Sequence, residues 1–144
     1  MSVVKSILST KGEAVVTIEP TATLEGVVNT LAQHRIGALV VLGPDRRVTG
    51  IISERDIIRA LGQHGADVLK QPVGQVMTRK VATCSQSETV AGLMEAMTNG
   101  RFRHVPVVEQ DRLVGIISIG DVVKHRLKEM EQESAALRDY IQTA

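Results

Sequence analysis

Aromatic side chains are all but missing from this chain of 144 residues, which has no Trp, one Phe and one Tyr. The interior must then be built from Val, Ile, Leu, Met and Ala, which predicts an aliphatic, closely layered core. No aromatics are interleaved with basic residues, so a surface for stacking nucleic-acid bases is excluded. An excess of one charge is equally lacking: 17 Lys and Arg against 16 Asp and Glu leave a net +1. With the signs interspersed, there is no electrostatic footprint for nucleic acid. The single cysteine, Cys84, excludes an internal disulfide. Nothing local signals the histidine that a nucleophilic thiol requires, so a buried structural thiol is expected. The four histidines, His34, His64, His104 and His125, form no His-x-x-x-His pair and have no Cys cluster beside them. Neither a metal site nor a catalytic constellation is expected, and the chain is read as not an enzyme. A P-loop and a Gly-x-Gly-x-x-Gly are also absent, so any nucleotide must be held without them. No signal-peptide pattern and no apolar run of about 18 residues occurs, which makes a cytoplasmic protein without a membrane partner the expectation.

What the chain has instead is a second copy of itself. Gly50-Ile51-Ile52-Ser53-Glu54-Arg55-Asp56 returns as Gly115-Ile116-Ile117-Ser118-Ile119-Gly120-Asp121, followed by Ile57-Ile58 in one copy and Val122-Val123 in the other. Asp56 to Asp121 is a shift of 65, whereas Thr17 to Thr83, Thr23 to Thr89 and Arg35 to Arg101 are shifts of 66. One residue therefore separates the copies, in the turn from Gly43 to Arg47. Further upstream Ile7-Leu8-Ser9 matches Val76-Met77-Thr78 at a shift of 69, which puts three extra residues around Lys11 to Ala14. Both differences fall in segments that read as loops. A unit of about 65 residues is marginal alone, so the two copies are expected to pack together.

In each copy the short apolar run reads as a buried strand, and the Asp falls in the first turn of a helix, where the macrodipole favours a carboxylate. Ser53 and Ser118 are the natural N-caps. Capping alone is one reading of Ser-x-x-Asp. The other adds a ligand: the Ser oxygen and the N–H groups of a helix start suit a phosphate, and an Asp can accept two hydrogen bonds from a ribose diol.

The rest of the chain follows the repeat. Val3, Val4, Ile7 and Leu8 have the one-face spacing of a short helix over Ser2 to Ser9, which should dock on its own repeat or the other one. A loop at Lys11 to Glu13 leads to a strand over Ala14 to Ile18. Thr23 caps a helix with Leu24, Val27, Val28 and Leu31 inward. Strands at Ala38 to Leu42 and Val48 to Ser53 flank a turn at Gly43-Pro44-Asp45, and a helix runs from Glu54 to about Gly62. A polar linker covers Gln63 to Pro72. The order then recurs: a docking helix at Val73 to Thr78, a strand at Lys80 to Cys84, and a helix at Thr89 to Asn99 with Gly100 as its C-cap. Paired strands at Val105 to Glu109 and Leu113 to Ser118 follow. The last helix starts at Gly120 or Asp121 and meets no stop signal. Val123, Leu127, Met130, Ser134, Leu137 and Ile141 alternate spacings of four and three along it, a heptad seam interrupted by Ser134. That seam either lies along its own module or meets a second copy.

Two further features complete a pattern. Arg103-His104-Val105-Pro106-Val107-Val108 precedes the second Gly-Ile-Ile-Ser stretch, and Val15-Val16-Thr17 and Val81-Ala82-Thr83 open the copies. In this order and duplicated, over about residues 3–128, the chain resembles the tandem cystathionine-β-synthase (CBS) domain pair, or Bateman module, as a stand-alone protein of bacterial type. The resemblance implies an α/β (α+β) fold of two βαββα repeats packed about a pseudo-twofold axis, with residues 1–66 and 67–128 as the repeats and 129–144 as a C-terminal helical extension.

The same resemblance implies a regulatory sensor in which AMP, ADP, ATP, NAD(H) or S-adenosylmethionine binds in clefts between the repeats. Asp56 and Asp121 would take the ribose hydroxyls, and Ser53 and Ser118 the phosphates. Val16, Thr17, Val81, Ala82 and Thr83 would frame the adenine, with Arg103, His104 and Arg55 facing phosphates and the adjoining Val105 and Pro106 counted in the same nucleotide site. Gly37-Ala38-Leu39-Val40 stands where the second copy has Arg103-His104-Val105-Pro106, and Gly120 stands where the first has Arg55, so the two clefts are expected to differ. Such modules pair into flat homodimers and act on a protein partner that this sequence does not identify. A ligand-free dimerisation module and a nucleic-acid-binding accessory protein are the competing readings, and the charge balance speaks against the second.

Overall fold

The computed structural model describes residues 2–12 and 14–143. In the first half, helix α1 (Val4–Lys11) is followed by β1 (Thr17–Ile18), α2 (Leu24–His34), β2 (Ala38–Leu42), β3 (Val48–Ser53) and α3 (Glu54–His64). In the second half come α4 (Val90–Gly100), β4 (His104–Glu109), β5 (Arg112–Ser118) and the 25-residue α5 (Ile119–Thr143). β2 lies between β1, which it pairs in parallel, and β3, which it pairs antiparallel; β4 and β5 form a second antiparallel sheet. Both helices that follow a Thr start as their sequences dictate, with Thr23 Oγ1 accepting from Gly26 N–H and Thr89 Oγ1 from Gly92 N–H.

The copies share local irregularities at matched positions. Irregularities fall between Val41 and Leu42 in one sheet and between Val107 and Val108 in the other, and the left-handed residues that end α2 and α4 are Arg35 and Arg101, at φ 54° and 56°. The expected C-cap at Gly100 is thus displaced by one residue. Gly100 is the last helical residue, and its missing Cβ makes room for the Phe102 ring. At the hairpin of β4 and β5, Gln110 and Asp111 both have positive φ, as a two-residue loop matched to the strand twist requires.

Each half completes the other half's core. Val4, Ile7 and Leu8 of α1 are buried with Cys84, Val90, Leu93, Met97, Val105, Val107, Ile117 and Val122 of the second copy. Conversely, Val68, Val73 and Met77 are buried with Leu24, Val27, Leu31, Leu39, Val41, Ile52 and Ile57 of the first. Of the two docking choices open to the first helix, the structure therefore takes the other repeat. Matching hydrogen bonds fix the exchange. Val4 N–H donates to the Glu88 carbonyl at 2.8 Å and Val90 N–H to the Ser2 carbonyl at 2.9 Å; Val73 N–H donates to Ala22 at 2.7 Å and Leu24 N–H to Gln71 at 2.9 Å. The partners differ by the shifts of 69 and 66 already visible in the sequence, as a pseudo-twofold axis demands. The buried side chains of the described residues are all apolar.

Several boundaries depart from the sequence reading. α1 runs on to Lys11, so the loop begins at Gly12, and Glu13 lies outside the described residues. β1 holds two residues of the five expected. The docking helix at Val73 to Thr78 is only a 3-10 turn, Val73–Gln75, after which Thr78 exchanges two backbone hydrogen bonds with Ile51. The linker is less polar than it reads, because α3 continues to His64 and a 3-10 turn at Ala66–Lys70 buries Val68. The strand at Lys80 to Cys84 shrinks to one bridge, Cys84 to Val107, in the register that Ile18 and Val41 occupy. The cause is Pro106: it stands where the first copy has Val40, and having no N–H it cannot make the next bond of the ladder.

The glycine of each Gly-Ile-Ile-Ser stretch is the seat of the exchanged segment. A Cβ on Gly115 would come 2.7 Å from Leu8 Cδ2, while one on Gly50 would overlap Met77 Sδ and approach the Thr78 carbonyl oxygen at 2.9 Å. Leu8 can turn away, but the Thr78 carbonyl is held by Ile51. Gly50→Ala is therefore expected to destabilise by about 1 to 3 kcal/mol and Gly115→Ala by less, measured as the difference in urea midpoints. Equal midpoints for the two variants would contradict this packing.

Candidate functional site

Both Ser-x-x-Asp stretches form reciprocal capping boxes. Asp56 N–H donates to Ser53 Oγ at 3.3 Å and Ser53 N–H to Asp56 Oδ2 at 2.9 Å; in the second copy Asp121 N–H donates to Ser118 Oγ at 3.1 Å and Ser118 N–H to Asp121 Oδ2 at 2.8 Å. Capping is thus realised in both copies, and it leaves lone pairs on each carboxylate. Those are met by groups from the other repeat. Thr78 Oγ1 donates to Asp56 Oδ1 at 3.2 Å, and Lys11 Nζ donates to Asp121 Oδ2 at 2.6 Å and to the Ile116 carbonyl at 2.8 Å. The two carboxylates therefore sit where one repeat meets the other.

The strand registers bring further residues to these junctions. Ala38 is opposite Ser53, and His104 is opposite Ser118. The carbonyls of Gly37 and Arg103 accept from Glu54 N–H at 3.0 Å and Ile119 N–H at 2.8 Å, tying each helix start to a central strand. A Cβ on Gly37 would lie 3.6 Å from His104 Cε1 and 3.5 Å from Glu54 Cδ, so the two strand openings face each other near the pseudo-twofold axis. His104, Ser118, Asp121 and Lys11 thus share one junction, with exposed Arg103 at its edge. Ser53, Asp56 and Thr78 share the other, with Arg55 exposed beside them.

The adenine-framing set is placed differently. Thr17 is in register with Val40, Val16 packs on the first core, and Val105 and Pro106 are buried in β4. Val81 is half-buried, and Ala82 and Thr83 are exposed ahead of the Cys84 bridge. Two open hollows border these residues. One, of about 830 Å³, is lined by Thr17, Ile18, Pro20, Leu42 and Pro44; the other, of about 620 Å³, by Val28, Leu31, Ile57 and Ile58 together with Gly37 and Glu54 of the first junction. The hydrogen-bonded junctions, with their donors and acceptors, are the chemically equipped surfaces. Sequence reasoning missed Lys11 and Thr78. Thr78 could have been found as the counterpart of Ser9; Lys11, whose counterpart at the same shift is Lys80, lies outside the motif and carries no signal of its own.

Electrostatics distinguish the junctions further. Burial disfavours ionisation of Asp121, but the hydrogen bonds from Lys11 and Ser118 and the Lys11 charge outweigh it and hold the carboxyl below its usual range. His104 is shifted down, first by burial and then by the Lys11 charge, against the opposing pull of Asp121 and Glu54. At neutral pH it is an uncharged hydrogen-bonding group, not the cation that its place in the sequence suggests. Cys84 is pushed up to about 12, chiefly by burial and then by Glu88 and Glu109, and so is a core thiol without nucleophilic character. Among the described residues no group of three or more His, Cys, Asp or Glu is placed to hold a metal ion, and no helix is long and apolar enough to cross a membrane.

Two pseudo-symmetric repeats with paired Ser-x-x-Asp junctions define a tandem regulatory-type module, and the chain belongs to the CBS domain family, whose model matches residues 4–63 and again 73–128. The crystal structure of a CBS-domain-containing protein of Agrobacterium tumefaciens is 50% identical, with a TM-score of 0.84 over 87% of this chain and 99% of its own. A CBS domain protein of Pyrobaculum aerophilum, solved in complex with AMP, is 31% identical with a TM-score of 0.74, over 83% of this chain and 88% of its own. A mitochondrial CBS domain-containing protein of Arabidopsis thaliana is 37% identical over 124 residues, 83% of this chain; the match spans only 60% of that relative's length.

The shifts at His104 and Asp121 give stability a pH profile. The lowered His104 means that just below its ordinary value of about 6.5 the unfolded chain binds more protons than the folded one, so stability falls as the pH is lowered through that region. Asp121 adds a second loss only below its ordinary carboxylate range, in the same direction. Thermal melts are expected to be level from about pH 7 to about 8. They fall above about pH 9, where the unfolded chain ionises Cys84 and the folded one does not. They also drop below about 6.5, with His104→Gln removing the upper part of that drop. An undiminished drop in that variant would assign it to other groups.

Proposed function

We propose that this chain is a non-catalytic sensor that binds an adenine nucleotide, AMP, ADP, ATP or NAD(H), at the two junctions between its repeats and passes their occupancy to a second copy of itself or to a protein partner. The boundaries that go with this reading are residues 1–66 and 67–128 for the repeats and 129–144 for the helical extension. One observation carries it: each motif carboxylate reaches across the repeat boundary to a hydrogen-bond donor, Thr78 or Lys11, that a ligand donor can replace. Asp56 and Asp121 take the ribose diol. Ser53 and Ser118, at the helix starts, take phosphate oxygens together with the adjacent N–H groups. Val16, Thr17, Val81, Ala82 and Thr83 border the base, and Arg55, Arg103 and His104 border the phosphates. AMP in the Pyrobaculum aerophilum relative supports the ligand class. The apolar strand residues around Val105 and Pro106 support the junction without donating to the ligand.

A second, compatible reading makes the chain a dimerisation module, and it too has an observation behind it. From Glu131 onward every described residue of α5 is exposed, so the helix does not fold back along its own module. Val123, Leu127, Met130, Leu137 and Ile141 of the heptad seam are 49 to 65% exposed, and Ile58, the counterpart of Val123, is 70% exposed. A stripe of this spacing is complementary to a copy of itself.

Two experiments test these readings. Calorimetric titration with AMP and NADH is expected to show Asp56→Ala and Asp121→Ala each weakening one binding event about tenfold to a hundredfold, the loss of a hydrogen bond to a charged group. Undiminished binding of every adenine nucleotide by both variants would leave the carboxylates as caps alone. For assembly, sedimentation is expected to show a dimer at micromolar concentration that Leu127→Glu combined with Leu137→Glu dissociates. Monomer throughout in the unmodified chain would remove the dimer.

A further inference from the structure

The two junctions share their capping boxes and strand registers but differ in flanking residues, Arg103 and His104 against Gly37 and Ala38 and Gly120 against Arg55, and in the group that reaches into them. At Asp56 it is the neutral hydroxyl of Thr78, at 3.2 Å; at Asp121 it is the ammonium of Lys11, at 2.6 Å, held also by the Ile116 carbonyl. Lys11 is supplied by the last turn of α1; at the shift of 69 its counterpart is Lys80, which is exposed, and the group that meets Asp56 is Thr78 instead. The ion pair is only partly open to solvent, with 31% and 23% of the two side chains exposed. His104, Glu54 and Arg103 are the other titratable groups that act on this junction.

We propose that Lys11 is the specificity-determining residue of the Asp121 junction, admitting adenosine ligands that carry a 5′ phosphate and disfavouring those that do not. The inference rests on Asp121 being a ribose clamp. A diol that binds Asp121 competes with the ammonium for the same carboxylate. Once displaced, the ammonium requires another anion, and Arg103 close by makes the surroundings less favourable for a cation that has lost its carboxylate. A ligand phosphate at the Ser118 helix start supplies that anion, and the flexible four-carbon stem of a lysine can follow it. An uncharged nucleoside supplies nothing, so its diol is gained at the expense of the ion pair. At Asp56 a ligand hydroxyl merely replaces a threonine hydroxyl, and no cation is left behind. Adenosine and AMP are thus discriminated at one junction and much less at the other.

The test isolates the Asp121 junction by Asp56→Ala and titrates it with adenosine and with AMP. In that background AMP is expected to bind at least about tenfold more tightly than adenosine, the scale of one hydrogen bond to a charged group. Adding Lys11→Met should tighten adenosine and bring the two ligands to within about threefold, whereas Lys11→Arg, which keeps the charge, should preserve the gap. Circular dichroism melts of the Lys11 variants confirm that the fold is intact. If AMP binding depends on Asp121 but its advantage over adenosine survives Lys11→Met, the role of Lys11 is overturned and the ribose clamp stands. If AMP binds in none of these backgrounds, the clamp and the role of Lys11 fall together.

Discussion

The structure depends on an exchange. Neither repeat has enough apolar surface of its own to close its core, and each borrows the segment that leads into the other: α1 covers the second repeat, and the stretch from Val68 to Met77 covers the first. Burying a side chain the size of Leu8 or Val73 contributes roughly 1.5 to 3 kcal/mol, so half a dozen such residues outweigh the stability of a typical small domain. Folding one repeat without the other would leave both cores open. The matched bonds at Val4, Val90, Val73 and Leu24 show that the exchange is the source of the pseudo-twofold axis.

The exchange also creates the junctions. The segments that plug the cores end beside the Ser-x-x-Asp turns, which is why the carboxylates meet Thr78 and Lys11. Duplication makes two junctions, and divergence in the leading segments makes them unequal. A site formed this way can change its chemistry by drift in a linker without disturbing either core.

Much of this was legible from the residues. The shifts of 66 and 69 recur in the residues that pair across the molecule, and the caps at Thr23, Ser53 and Ser118 followed from side-chain chemistry that acts over three residues. Short-range rules failed where a partner distant in sequence decides the outcome. Pro106 removes a bond from a strand more than 20 residues upstream, Phe102 claims the surface of Gly100, and Val68 is buried in a stretch of linker composition. Lys11 escaped notice because it lies outside the Ser-x-x-Asp motif and meets Asp121 from 110 residues away in the chain. The neutral state of His104 follows from burial and from that same lysine, neither of which its neighbours in sequence reveal.

The long last helix has a mechanical consequence. Asp121 lies in its first turn and Ile141 near its end, a separation of about 30 Å along a rod that rises 1.5 Å per residue. The N-terminal segment is fastened to the inner part of that rod at two points, Lys11 of α1 to Asp121 and Ser2, ahead of α1, to Glu129. Beyond Glu129 none of the described residues braces it with a side-chain bond to another element. The inner segment is therefore a clamped fulcrum and the outer one a free arm. A tilt of about 5° at Glu129 carries Ile141, roughly 18 Å further along, about 1.6 Å sideways, so a readjustment of the clamp is felt where the arm ends.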